Sequence, residues 1–441
     1  MTGIPMHILH QTARNQAQLR PFLPTLAFAM TLLFAGCVAA PKPGTTKMAP
    51  TPVGVIEKVA QPVNYLRRTN LNSEVPVFIV SSRNLNDKLI RGVDPFGNAR
   101  NDEPVPHLAI ADVQVGEGLS SEQIYRESTT EVKKKKTRLK LREVTITDPL
   151  TDVDPWATGN EGQRHSSHQW MQAIRKQLDQ SRDRQITIFV HGFNTHLITN
   201  TEQAADLYHY MGRNGAMINF EWPSEGKLLG YIADKGNAQQ STRLFRTMLA
   251  SLAEATDASR ILILAHSAGN PIVVNAMREL RLIESDLTAK QLTDKYKIDR
   301  VVLAAPDMDV MEFFNGVFDR FYELANGVAV YASPDDKALR VSSFLFADTR
   351  LGRSIGQLKP WEEQVLDVAD GIEMINVSQP ERIYRIGTGH SYFHRDPWVS
   401  SDIGLFLYEL DTEQRGLVKD EGDVFWKFPK DYRERLRSLG R

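Results

Sequence analysis

The chain has 441 residues but a single cysteine, Cys37, so no intramolecular disulfide can brace it. Net charge is nearly absent: 53 Lys and Arg stand against 54 Asp and Glu, a formal −1. No global field therefore draws the protein to nucleic acid or to an acidic ligand. Clustered metal ligands, a dinucleotide fingerprint and a phosphate loop are all missing, so no cofactor is expected. Long apolar runs are scarce. The one that stands out, Pro21 to Gly36, is short for a membrane span. What is present suits a soluble globular chain, with 41% hydrophobic and 24% charged residues. The length suits one large domain with extensions. One basic run, Lys133 to Lys136 with Arg138, Lys140 and Arg142, reads as a solvated loop leading into a strand.

Arg14 and Arg20 precede the apolar stretch, the order found in a signal peptide. The stretch ends Leu33-Phe34-Ala35-Gly36-Cys37. Small residues just before a cysteine resemble the bacterial lipobox, in which the cysteine is lipidated and becomes the new N-terminus. Phe34 stands where Leu is usual. The expectation is a signal peptide over 1–36 and a lipid on Cys37 that anchors the protein in the cell envelope, on the periplasmic side. Residues 38–56 are rich in Pro, Thr, Ala and Gly, a composition that buries no core. We expect a flexible tether over 37–59 and a folded domain over 60–441.

Val75 to Val80 reads as a strand, as do the patterns through Leu108 to Val115 and Leu139 to Ile146. From about residue 165 strands alternate with helices. Strands are expected at Gln185 to Val190, Ala216 to Glu221, Arg260 to Ala265, Val301 to Ala305, Val328 to Ala332 and, last, Ile372 to Val377. Helices are expected at Asn200 to Met211, Ala238 to Ala255 and Asn270 to Ile283, the third with Pro271 where a missing N–H matters least. Such alternation implies a mostly parallel sheet with helices on both faces. Ligands then bind beyond the carboxyl ends of the strands.

After Arg260 to Leu264 comes Ala265-His266-Ser267-Ala268-Gly269, close to a G-x-S-x-G nucleophile elbow. Small residues two before and two after Ser267 would let the turn pack tightly, and the next helix would aim its positive end at the site. A plain helix cap is the structural alternative for Ser267. After Gln185 to Val190 comes His191-Gly192-Phe193-Asn194-Thr195. The amides of Phe193 and Ala268 are the expected oxyanion donors. His191 is expected to hold its loop. Acid candidates follow the next strands: Asp307 in Pro306-Asp307-Met308-Asp309, and Asp335 and Asp336 after Ser333-Pro334. Finally, Gly387-Thr388-Gly389-His390-Ser391-Tyr392 offers a histidine suited to a loop over a site. His394 competes, but its neighbours Arg395 and Asp396 look like solvated surface.

The order serine, aspartate, histidine distinguishes this set from the chymotrypsin and subtilisin arrangements. A serine hydroxyl is a poor nucleophile until a neutral imidazole takes its proton, and a carboxylate must fix that imidazole's tautomer. The segments "IFVHGFNTH", "FEWPSEGKLLGY", "ILAHSAGN", "LAAPDMDV", "VYASPDDKAL" and "GHSYF" together resemble a family of largely uncharacterised bacterial α/β-hydrolases, over about residues 180–405. A weaker similarity reaches back to "VFIVSSR". Members carry V-H-G-F-N-T, A-H-S-M-G-N and D-K/R-A-L; Ala268 stands where Met is usual. The resemblance implies an α/β-hydrolase fold with Ser267 as nucleophile, His390 as base and Asp336, which opens D-K-A-L, as acid. Asp307 is the second choice, with a helix cap as its structural alternative, and Asp335 fits a turn. The implied activity is cleavage of an ester or similar acyl bond in a small-molecule or lipid substrate. An acyltransferase and a catalytically idle binding scaffold are the alternatives.

Overall fold

The computed structural model describes residues 42–59, 73–86, 91–102, 105–131, 137–147, 169–224, 230–378 and 389–439. The expected signal segment, Cys37 and the run Lys133 to Lys136 lie outside them. Eleven strands form one sheet: β1 (Glu74–Ser81), β2 (Arg91–Gly92), β3 (His107–Val115), β4 (Leu139–Thr147), β5 (Gln185–Val190), β6 (Ala216–Glu221), β7 (Arg260–His266), β8 (Ile298–Ala304), β9 (Gly327–Ala332), β10 (Ile372–Asn376) and β11 (Phe425–Lys427). Their spatial order is β11-β10-β9-β8-β7-β5-β6-β1-β3-β4-β2. From β11 to β1 every neighbouring pair is parallel, and β3, β4 and β2 extend the sheet in antiparallel fashion. This is the expected mostly parallel α/β architecture. The unforeseen strands are β2 and β11, whose two and three residues are too few to show a period.

Helices used below are α1 (Gln169–Asp179), α2 (Leu197–Tyr210), α3 (Gly230–Ala255), α4 (Asn270–Ile283), α5 (Val310–Phe318), α6 (Lys337–Phe346) and α7 (Pro397–Leu407). They cover both faces because the strands alternate. Ile186, Ile188 and Val190 of β5 join a core with α1, α3, α4 and α5, while Phe189 faces a second core with α2 and α7. The central strands are apolar on both sides, as parallel strands between two helical layers must be. No described helix is long and apolar enough to cross a membrane.

The tether expectation needs correction. Met48, Ala49, Val53 and Val55 are buried, and Val53–Ile56 is a short helix. Ala49 N–H donates to Asp206 Oδ2 (2.8 Å) and Gly54 N–H to Ser401 Oγ (2.7 Å). Polar neighbours in sequence hid four apolar side chains that dock on α2 and α7. A small cavity of about 50 Å³ lies under this segment; none of Ser267, Asp336 and His390 lines it.

The chain reverses direction across the sheet between β5 and β7. After β5 it moves outward to β6; after β7 it moves the other way, through β8, β9 and β10. A crevice opens where strand order reverses this way, beyond the carboxyl ends.

Candidate active site

Ser267 sits where β7 ends, at that crevice, with φ of +53°. A non-glycine residue in this region is held against about 1–3 kcal/mol of strain, so its surroundings must over-determine it. They do. Asn270 Nδ2–H donates to Ser267 O (2.8 Å) and to Ala304 O (3.1 Å), and Asp307 N–H donates to Ser267 O (3.2 Å). Two glycines permit the close approach. A Cβ on Gly269 would lie 2.5 Å from His191 O, and one on Gly192 would lie 2.9 Å from Ser267 Cβ. The β5 loop and the β7 turn therefore touch backbone to backbone. Phe193 and Ala268 both line the cavity beside this turn.

Ser267 Oγ is 2.8 Å from His390 Nε2, and His390 Nδ1 is 2.7 Å from Asp336 Oδ2. Asp336 is fully buried and also caps α6, its Oδ1 accepting from Leu339 N–H (3.0 Å). Burial pulls the His390 pKa down, but the adjacent Asp336 carboxylate, its hydrogen bond and the charge of Asp307 more than offset this, and the net direction is upward. The other acid candidates are placed differently. Asp335 is exposed in the turn, its N–H on Ser333 Oγ (3.3 Å). Asp307 is buried, accepts from Ser342 Oγ–H (2.7 Å) and pairs with the buried Arg350 (Nε to Oδ1 3.3 Å). The cap suggested for Asp307 belongs to Asp309, which accepts from Met311 and Glu312 N–H.

His394 points away from the serine, within hydrogen-bond distance of Gln203 Nε2 (2.8 Å), and burial holds its pKa down at about 3. Arg395 is exposed as expected, but Asp396 is a buried cap on α7. His191 holds its loop: Trp222 N–H donates to its Nε2 (3.2 Å), and the two rings stack at 5.3 Å.

His266 was not singled out from sequence. Its Nε2–H donates to the His390 carbonyl (3.1 Å), and its ring packs on His390 and Phe393. Burial, then the neighbouring His390, push its pKa well below the usual value, so it stays neutral. Its place directly before the serine was the available signal. A cavity of about 260 Å³ opens beside the turn, lined in part by Phe193, Ala268, Trp222, Asn275, Asp307 and Glu312. Among the described residues no group of three or more His, Cys, Asp or Glu is placed to hold a metal ion.

Residues 165–405 match the family described as alpha/beta hydrolase of unknown function (DUF900). An uncharacterized protein of Nostoc sp. is 24% identical over 132 residues, which span 27% of this chain and 34% of that protein. The chain thus covers about a third of this relative's length. Among solved structures, the apo form of Thermogutta terrifontis esterase 2 is 11% identical with a TM-score of 0.28, covering 54% of this chain and 87% of that one. A phosphonate-inhibited esterase B from Lactobacillus rhamnosis is 12% identical, TM-score 0.29, covering 51% and 74%. A hyperthermophilic esterase from Pyrobaculum calidifontis is 10% identical, TM-score 0.27, covering 59% and 93%. Likenesses this loose say nothing of substrate.

Proposed function

We propose a serine hydrolase mechanism from the premise that this chain belongs to the family of alpha/beta hydrolases of unknown function. The observation that carries it is the unbroken chain from Ser267 Oγ through His390 to buried Asp336, at 2.8 and 2.7 Å. Neutral His390 takes the Ser267 proton on Nε2 while Oγ attacks the carbonyl carbon of an ester or similar acyl bond. Asp336 holds Nδ1–H, which fixes the tautomer and stabilises the imidazolium. The amides of Phe193 and Ala268 receive the developing oxyanion. His390 returns the proton to the leaving alcohol, and the acyl-serine remains. Water, deprotonated by the same imidazole, then attacks the acyl carbon and frees the acid and Ser267.

A fluorophosphonate probe should label the folded wild type, and Ser267→Ala should abolish labelling. Labelling that survives Ser267→Ala removes the nucleophile. A well-folded wild type that never labels favours a binding scaffold, and transfer of the acyl group to an acceptor other than water marks an acyltransferase. For Cys37 the proposal is lipidation and anchoring in the cell envelope, supported by the small residues before it and the apolar stretch upstream. Labelled fatty acid should enter the protein in a bacterial host and fail to enter Cys37→Ser. A mature N-terminus at any other residue ends that proposal.

A further inference from the structure

The segment containing Arg83 lies well before the matched region 165–405, yet Arg83 reaches the active-site loop. Arg83 lies two residues past the end of β1 and is 1% exposed. Its Nε lies 3.1 Å from Oε2 of the fully buried Glu221, at the end of β6. Its Nη2–H donates to Thr195 O (3.3 Å) and its Nη1–H to Asn98 Oδ1 (3.4 Å). Taking both ions from water costs several kcal/mol each, and apolar side chains of like volume often fill such a space equally well. Packing alone therefore gives no reason for the charges.

The hydrogen bonds supply one. Gly192 C=O and Phe193 N–H belong to one planar trans peptide, so pinning the oxygen on one side aims the N–H to the other. The oxygen is pinned twice, by His191 Nδ1–H (2.8 Å) and Thr195 Oγ1–H (3.1 Å). Both anchors are held from behind. Trp222 N–H holds His191 through its Nε2 (3.2 Å), and Arg83, itself paired with Glu221, holds the Thr195 carbonyl. Trp222 Nε1–H closes the set on His191 O (2.8 Å). Glu221 stays charged throughout: burial pushes its pKa up, but His191 and Arg83 hold it down at about 2.

We propose that the Arg83–Glu221 pair is a positioning element for the oxyanion site, aiming the Phe193 amide through Thr195. This rests on reading that amide as an oxyanion donor. It makes the segment just after β1, outside the matched region, part of the working active site.

The test uses the full chain. Arg83→Met and Arg83→Lys are compared with Arg281→Met, which breaks the ion pair of another buried arginine, with Glu323 (2.8 Å), at the far end of α4. Turnover of a p-nitrophenyl ester per folded molecule, KM, and affinity for an alkyl boronic acid that forms a tetrahedral serine adduct are measured. Removing one oxyanion donor elsewhere lowers kcat by about 10²–10³, so a misaimed donor should lower it about 10–100-fold. We expect that loss in Arg83→Met, with KM within about threefold and boronate affinity falling in step, as a ground-state contact would not do. Arg83→Lys should recover part of the loss, and Arg281→Met should melt earlier with kcat unchanged. Wild-type kcat in folded Arg83→Met overturns the proposal, as does an equal loss in Arg281→Met. Should Arg83→Met fail to fold, Arg83→Lys decides: a fall of about threefold or more supports the element and no fall overturns it. Ser267-dependent fluorophosphonate labelling of the wild type keeps the hydrolase reading standing when the positioning idea fails. Its absence overturns both.

Discussion

The loops after β8 and β9 have the same parts and use them differently. Each carries two aspartates, and in each one aspartate caps the helix that follows. After β8 the work is divided: Asp309 caps α5, and Asp307 faces inward to Ser342 and Arg350. After β9 one residue does both jobs. Asp336 gives Oδ1 to the α6 amide and Oδ2 to His390, while Asp335 turns to solvent. A carboxylate whose first oxygen is fixed by a helix end has its second oxygen fixed too. Capping and orienting the imidazole are thus one geometric act. Asp307 has no such lever on the ring and reaches it only as a charge.

The comparison breaks most visibly at Asp336→Asn. Asparagine also caps a helix, so α6 should persist. The amide would impose the wrong imidazole tautomer, and kcat should fall about 10⁴-fold, as on such a change in a serine protease. Turnover and melting temperature together check this. An active, stable Asp336→Asn protein, or the same collapse in Asp307→Asn, would exchange the roles of the two loops.

Asp307→Asn should show its effect in stability. It leaves buried Arg350 with Asp348 (3.2 Å) as its remaining carboxylate, so the loss should stay below the cost of about 3–5 kcal/mol for a fully broken buried pair. Denaturant midpoints would register this, with kcat within about tenfold of wild type. A smaller effect sharpens the same contrast through pH. In the proposed mechanism the active form has neutral His390, whose pKa is raised above the ordinary value of about 6.5, so kcat/KM should fall as pH drops through that raised pKa. Removing the Asp307 charge takes away one cause of the rise. The acid limb in Asp307→Asn should then move to lower pH; an unmoved limb would show that the charge is not felt at the ring. The smallest effect is expected at Asp309→Ala, a lost cap of about 1 kcal/mol with activity intact.

Legibility differed between the two sides of the site. Ser267 could be read because everything that presents it is local: a β-rich run, small residues two before and two after, then a helix with proline in its first turn. His390 could be read only as a glycine-flanked histidine in the right order. His266, Arg83 and Glu221 were invisible as partners, because each acts on a group far away in sequence. The tether was misread for the opposite reason: prolines and threonines dominate its composition, while its burial depends on α2 and α7 supplying a surface.

Sequence by itself determined the alternation of strands and helices, the apolar character of the central strands and the order serine, aspartate, histidine. These follow from periods of a few residues and from turn chemistry, which are properties of neighbours. Tertiary structure decided which aspartate meets His390, since Asp307, Asp335 and Asp336 differ only in where a turn and a helix start point their carboxylates. It also decided that a guanidinium from the segment just after β1 stands behind the loop of β5. Sheet order made them neighbours, with β6 between, and sheet order is set by how two helical layers pack rather than by any local pattern.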